Sequence, residues 1–170
     1  DMSGIFDAVV NELVIVKNQY GNVYWPAYSL NSIGSLLPGE GYQAKMSNFN
    51  TLEVSGAVTP SDFNMDLASG WGMIGYLHQN CFNVLDMMSP IVDDLVIMKD
   101  EYGNVYWPAF GLNSIGNMCP GEGYQVKMMS DVTFNYPSGG RFGFGDVTTL
   151  GKTVHYETAS NTGNNMTIGL

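Results

Sequence analysis

Charged side chains are scarce in this sequence of 170 residues, and positive ones are the scarcest. Only 13% of the residues are charged, and six Lys and Arg stand against 16 Asp and Glu, which gives a net charge of -10. Proteins that bind DNA or RNA gain much of their affinity by neutralising phosphates with basic side chains. An acidic excess of this size excludes nucleic acid as a partner.

Long apolar runs and sorting signals are missing too. No run approaches the roughly 20 apolar residues of a membrane-spanning helix, so we expect no membrane insertion. The first four residues, Asp-Met-Ser-Gly, lack the basic and apolar regions of a signal peptide, and the chain does not begin with methionine. We therefore expect a processed or excerpted piece of a longer protein.

Recognisable catalytic and metal-binding patterns are also absent. The sequence has no Asp-x-Asp-x-Asp-Gly calcium loop and no Gly-x-Ser-x-Gly elbow, and His78 and His155 stand alone. Five carboxylates of the second half are interpreted as a solvated acidic rim rather than a calcium site: Asp93, Asp94, Asp100, Glu101 and Glu122. We expect no enzymatic activity, no catalytic residues, no cofactor and no metal.

Glycine and aromatic residues are abundant, in contrast. The chain has 21 Gly, 10 Tyr, 8 Phe and 3 Trp, and 45% of its residues are hydrophobic. This composition is typical of many short strands joined by tight turns around a packed core. It predicts an all-β fold with short helices.

An internal repeat organises the sequence. Residues 13–45 and 95–127 align without a gap at an offset of 82, and 24 of the 33 aligned positions are identical. Both copies contain Tyr-Gly-Asn-Val-Tyr-Trp-Pro and Pro-Gly-Glu-Gly-Tyr-Gln. A match of this length indicates a duplication, and we expect two tandem β-sandwich or barrel-like modules, residues 1–58 and 59–139, followed by a β tail, residues 140–170.

Strands and helices can be placed within each module. Strands are predicted at the following segments and at their repeat equivalents: 13–17, 23–25, 42–46 and 51–54. Phe82–Met88 is predicted to be a short helix, with Ile5–Val10 as its counterpart. The buried strand predicted around Trp71, a residue assigned to the core, has no counterpart before residue 1. The first module is therefore expected to lack its opening strand.

The repeated motifs resemble secreted β-rich repeat modules of large extracellular proteins in Bacteroidota and related bacteria. The resemblance rests on Gly-Trp-x-Met-Ile-Gly-Tyr at 70–76, Val-Asp-Asp-Leu-Val-Ile at 92–97, the two Tyr-Gly-Asn-Val-Tyr-Trp-Pro and Asn-Ser-Ile-Gly segments, and the two Pro-Gly-Glu-Gly-Tyr-Gln-x-Lys turns. The segment Asn-Thr-Gly-Asn-Asn-Met-Thr at 161–167 is similar to stretches that adjoin such modules. The resemblance implies an extracellular or cell-surface location and a non-catalytic structural or adhesive role.

Cysteines and lysines each leave two interpretations open. Cys81 and Cys119 permit one disulfide; alternatively Cys119, aligned with Leu37, is a small buried apolar residue. The repeat preserves four of the six basic residues: Lys17, Lys45, Lys99 and Lys127. They either keep sheet edges soluble or form ion pairs with a neighbouring subunit.

The sequence predicts two alternative functions. The first is a structural subunit or repeat of an extracellular fibre, filament or surface layer that binds copies of itself. Its proposed assembly strand is Met166, Thr167, Ile168, Gly169 and Leu170, which resembles 72–76 in its Ile-Gly-apolar ending. The second is an adhesive or carbohydrate-binding module, in which glycans stack on Tyr24, Trp25, Tyr106 or Trp107. Because strand neighbours face opposite sides, only one residue of each aromatic pair can face a ligand.

Overall fold

The chain forms an all-β fold of antiparallel sheets, and the part of it that the structure describes includes two short helices. The structure, a computed structural model, describes residues 1–138, 154–157 and 165–169. The first elements are α1 (Met2–Phe6), β1 (Leu13–Lys17), β2 (Val23–Trp25), β3 (Leu30–Asn31), β4 (Gly41–Met46) and β5 (Thr51–Val54). Next come β6 (Met65–Leu67), β7 (Gly70–Gly75), β8 (Phe82–Asn83), α2 (Val84–Met87), β9 (Leu95–Lys99), β10 (Val105–Trp107), β11 (Leu112–Asn113), β12 (Asn117–Met118), β13 (Gly123–Met128) and β14 (Val132–Phe134). The last two are β15 (Val154–Glu157) and β16 (Asn165–Gly169).

Two five-stranded sheets contain most of these strands, and their strand orders correspond. The first sheet has the order β16-β4-β1-β2-β3, and the second has the order β7-β13-β9-β10-β11. Three two-stranded pairs complete the fold: β8 with β12, β6 with β14, and β5 with β15. At the repeat offset of 82, β4, β1, β2 and β3 align with β13, β9, β10 and β11. Strand β16 therefore has the place in the first sheet that β7 has in the second.

The hairpin after β1 shows why the repeated sequence folds in the same way twice. Asn18 Oδ1 accepts hydrogen bonds from the main-chain N–H groups of Tyr20 and Asn22, at 3.1 and 2.9 Å. Asp100 Oδ1 accepts from the two equivalent N–H groups, at 2.9 and 2.8 Å. Since both side chains supply the same oxygen to the turn, the substitution of Asn by Asp leaves its geometry unchanged. Gly21 provides the positive φ, +81°, that the turn requires.

Each five-stranded sheet covers a hydrophobic core of its own. The first core contains Met2, Phe6, Val9, Leu13, Val16, Tyr24, Tyr42, Ala44, Met46 and Leu52. The second contains Met65, Leu67, Ile74, Tyr76, Leu77, Val84, Met87, Met88, Ile91, Leu95, Met98, Tyr106, Met118, Tyr124, Val126, Met128, Phe134 and Tyr136. The aligned residues Val16 and Met98 are both fully buried, as are Ala44 and Val126. Both modules thus build their cores on the same face of the repeated strands.

The two helices differ from the sequence-based prediction. The predicted helix covers Phe82–Met88, but α2 begins only at Val84, because Phe82 pairs with β12 as part of β8. Asn83 then caps the helix, its Oδ1 accepting the N–H of Leu85 at 2.9 Å. The counterpart predicted over Ile5–Val10 is α1, which begins at Met2 and is continued by a 3-10 turn.

Candidate functional site

The edge of β4 is where two distant parts of the chain meet. In the second sheet the equivalent edge, that of β13, is covered by β7, and Ile74 lies opposite Tyr124. In the first sheet β16 covers β4, and Ile168 lies opposite Tyr42, the residue aligned with Tyr124. In both sheets the glycine that follows the isoleucine lies opposite a glycine. The register is therefore the same, although β16 comes from the other end of the chain. Leu170, the last residue of the proposed assembly strand, lies outside the described residues.

The strand before β16 repeats the correspondence. Strand β15 pairs with β5 and places Tyr156 opposite Leu52. Strand β6 pairs with β14 and places Met65 opposite Phe134, the residue aligned with Leu52. The strands of the tail thus occupy the places that β6 and β7 have in the second module. One sequence signal could have revealed this: Ala-Ser precedes Ile-Gly at 68–75 and again, with three more residues between them, at 159–169.

The turn before β4 holds β7 from the side opposite β13. The main-chain N–H of Gly75 donates to Gly39 O at 2.9 Å, and Glu40 forms an isolated β-bridge with Ile74. A Cβ atom on Gly41 would lie 2.8 Å from the carbonyl oxygen of Ile74. Main chain therefore meets main chain at this point, and only a glycine at position 41 allows it. The two modules share this contact.

A tyrosine supports the turn in each module. Tyr42 Oη donates to Glu40 Oε2 at 2.7 Å and accepts from the N–H of Leu37 at 2.9 Å. Burial, with the Glu40 carboxylate next to it, raises the pKa of Tyr42 well above its usual value, so the hydroxyl stays protonated and donating. In the second module Tyr124 Oη donates to Glu122 in the same way.

The aromatic side chains proposed for ligand stacking are divided between core and surface. Tyr24 and Tyr106 are buried, whereas Trp25 and Trp107 are half-buried. Two further aromatic residues, which the sequence did not single out, pack edge-on against these indoles: Tyr28 and Phe110, each with ring centroids 4.6 Å from its tryptophan. Tyr28 is 71% exposed and Phe110 is 72% exposed. Each sheet thus presents one tryptophan-aromatic pair to solvent at an equivalent position.

The assignment of Trp71 to the core is wrong. Its side chain is 51% exposed, because it points away from the face on which Ile74, three residues later, is buried. Lys99 Nζ lies 5.0 Å and Lys127 Nζ 5.9 Å from the centroid of the Trp71 ring. Two of the four repeated lysines therefore make cation-π contacts within the chain.

The interpretation of the carboxylates as a solvated rim is wrong at two positions. Glu122 Oε2 accepts the main-chain N–H of Cys119 at 2.7 Å, and burial raises the pKa of Glu122. Glu101 Oε2 is buried and has no hydrogen-bond partner among the residues that the structure describes. Within the described residues, no group of three or more His, Cys, Asp or Glu side chains is placed to hold a metal ion.

The cysteines form a disulfide. The Sγ atoms of Cys81 and Cys119 are 2.06 Å apart, and the bridge joins the residue before β8 to the residue after β12, two strands that are paired. Cys119 is half-buried, so the alternative of a small, fully buried thiol does not apply.

The β4 edge thus offers an added strand a row of main-chain hydrogen bonds in a defined register. Among the residues that the structure describes, no helix is long and apolar enough to cross a membrane. No family model, no curated protein and no solved structure matches this chain.

Proposed function

We propose that the protein is a non-catalytic extracellular structural protein, a subunit or repeat of a surface fibre, filament or surface layer, that assembles by strand complementation. One observation carries the proposal: β16 pairs with β4 in the register in which β7 pairs with β13. Main-chain hydrogen bonds supply the affinity when a strand is added to a sheet edge, and they form equally well within one chain or between two.

Exchange of β16 between copies explains how such a module forms a filament. If the strand closes on the β4 edge of its own chain, the product is a monomer. If it adds to β4 of the next copy, the contact is head-to-tail, and a head-to-tail contact that does not close into a ring generates an open polymer. The same contacts thus serve both states, and protein concentration selects between them.

Two further observations support an extracellular site of action. The protein contains the disulfide Cys81–Cys119, and structural disulfides persist in oxidising compartments and are rare in reducing ones. The net charge of -10 keeps a secreted chain soluble before it assembles. Both agree with the secreted modules that the repeated motifs resemble.

Deleting residues 161–170 tests the assembly proposal. We expect the intact chain to form polymers that grow with protein concentration, and the deletion variant to form none, because the β4 edge then lacks its strand. The conservative variant Ile168→Val keeps the β-branched shape and should assemble like the wild type. Sedimentation over a concentration series and electron microscopy measure the outcome. Assembly of the deletion variant to the wild-type extent would refute the proposal.

A carbohydrate-binding or adhesive function is the second candidate, favoured by the exposed pairs Trp25–Tyr28 and Trp107–Phe110. If glycans stack there, the double variant Tyr28→Ala/Phe110→Ala should lose at least about 1.4 kcal/mol of binding free energy, which is a tenfold change in Kd. Because both rings are more than two-thirds exposed, the unfolding free energy should change little. A glycan array probed with the wild-type protein and the double variant, followed by calorimetry on any glycan that binds, tests this function. If the wild-type protein binds no glycan on the array, the carbohydrate-binding function is refuted.

A further inference from the structure

A glutamine side chain of the first module forms a hydrogen bond with the main chain of strand β7. Gln19 Oε1 accepts the N–H of Met73 at 3.0 Å, and it lies 2.9 Å from where a Cβ on Gly72 would be. Met73 is the residue of β7 that lies opposite Gln125 in β13. A side-chain amide in the turn after β1 thus binds the main chain of β7 directly.

The corresponding residue of the second module is a glutamate. Glu101 aligns with Gln19 at the repeat offset of 82. In the first sheet the residue opposite Gln43, which aligns with Gln125, is Thr167 of β16. Glu101 is half-buried, and its Oε2 is the buried side-chain atom that the described part of the chain leaves without a hydrogen-bond partner. Strand β16 is in place on β4 in this structure, so Oε2 is unpaired in the docked state, where a buried oxygen without a partner costs far less in a neutral carboxyl than in a carboxylate.

We infer that Glu101 is the contact of the second module for strand β16, that its Oε1 accepts the main-chain N–H of Thr167 as Gln19 Oε1 accepts that of Met73, and that it does so as the neutral acid. Docking of β16 is then coupled to the uptake of one proton. The inference rests on the proposed function, because it names the regulation of the same strand site.

A protonated carboxyl can take the place of the glutamine amide in this hydrogen bond, and the buried, acidic surroundings favour it over the carboxylate. It has one acceptor oxygen and one donor group, as glutamine has, whereas a carboxylate only accepts. The charged groups that face it among the described residues are Glu122 and Asp100, both acidic. Burial first, and then these two charges, raise the pKa of Glu101 from 4.5 to about 7, against the lowering effect of its own main-chain N–H.

The direction of the pH dependence follows from this shift. In the undocked state we expect the ordinary carboxyl pKa of 4.5, because the side chain is then hydrated. In the docked state the pKa is higher, so the docked state binds more protons between these two values. Docking is therefore strongest at low pH, weakens as the pH rises through this range, and levels off above a pH of about 7.

Hydrogen exchange on the full-length chain tests the coupling, with β7 as an internal control. Protection of 165–169, corrected for the intrinsic exchange rate, should fall roughly 30-fold between about pH 5.5 and pH 8, because about 1.5 pH units of this interval lie below the docked pKa of about 7. Protection of β7 relative to β13 should stay constant. Glu101→Gln should abolish the fall at 165–169, and Gln19→Glu should transfer a similar fall to β7.

The outcomes separate this inference from the proposed function. A pH-dependent fall at 165–169 that survives Glu101→Gln overturns the inference, as does protection that is independent of pH in the wild type. In both cases strand docking itself stands. Absence of protection at 165–169 at either pH overturns strand docking, and with it the proposed function.

Discussion

Replacing Gly41 by alanine is expected to lower the free energy of unfolding by about 2 kcal/mol, in the range seen for overpacked cores. The added Cβ would lie 2.8 Å from the carbonyl oxygen of Ile74 and 3.0 Å from its main-chain N and C atoms. All three are main-chain atoms, so no side-chain rotation relieves the clash. Ile74 is fully buried and paired with Tyr124, and for that reason β7 cannot retreat without breaking its own sheet.

The same variant is expected to weaken the β4 edge as an acceptor. Gly41 lies opposite Gly169 of β16, so any displacement of the turn also disturbs the end of the added strand. Chemical denaturation measures the stability change, and the sedimentation experiment measures assembly. Gly56→Ala is the matched control, because nothing lies within 4 Å of a Cβ at that position. Equal stability of the two variants would show that Gly41 is not in close contact with β7.

The strands of the repeated segment could be predicted from the sequence because the forces that form them are local. The β-branched run at 13–17 and its equivalent at 95–99 are strands with the bounds that the pattern predicts. The turn after each is set by an Asx side chain and a glycine within five residues. The same local evidence predicted the strand at 51–54.

The partner of β4 could be predicted only as a hypothesis, because strand pairing across the chain leaves little trace in either strand. Apart from Ile-Gly, β16 shares almost nothing with β7, yet it adopts the same register. Glu101 was misread for a related reason. On its own turn it is one more acidic residue of an acidic chain, and its burial arises only when distant elements pack around it. Trp71 shows the converse, since an apolar strand does not reveal which of its faces is covered.

Breaking the disulfide is expected to destabilise the second module and leave the first unchanged. The bridge closes a loop between residues 38 apart, and loop-closure entropy for this length predicts a loss of about 3 to 4 kcal/mol from the variant Cys81→Ser/Cys119→Ser. The first module has no cysteine in residues 1–58, and its β4 is held by β1 and β16 instead. Local protection from hydrogen exchange should therefore fall in β13 before it falls in β4.

A second variant separates the covalent link from the packing of the sulfur atoms. Cys119→Leu combined with Cys81→Ser copies the first module, in which Leu37 occupies the aligned position and is 53% exposed. Because an exposed leucine restores volume without restoring the link, this variant should be destabilised about as much as the double serine variant. Denaturant unfolding of both, beside the wild type with and without a reductant, gives the comparison. Recovery of wild-type stability by leucine would mean that the cysteines act by packing, and an unchanged midpoint on reduction would mean that the bridge contributes nothing to the stability of the fold.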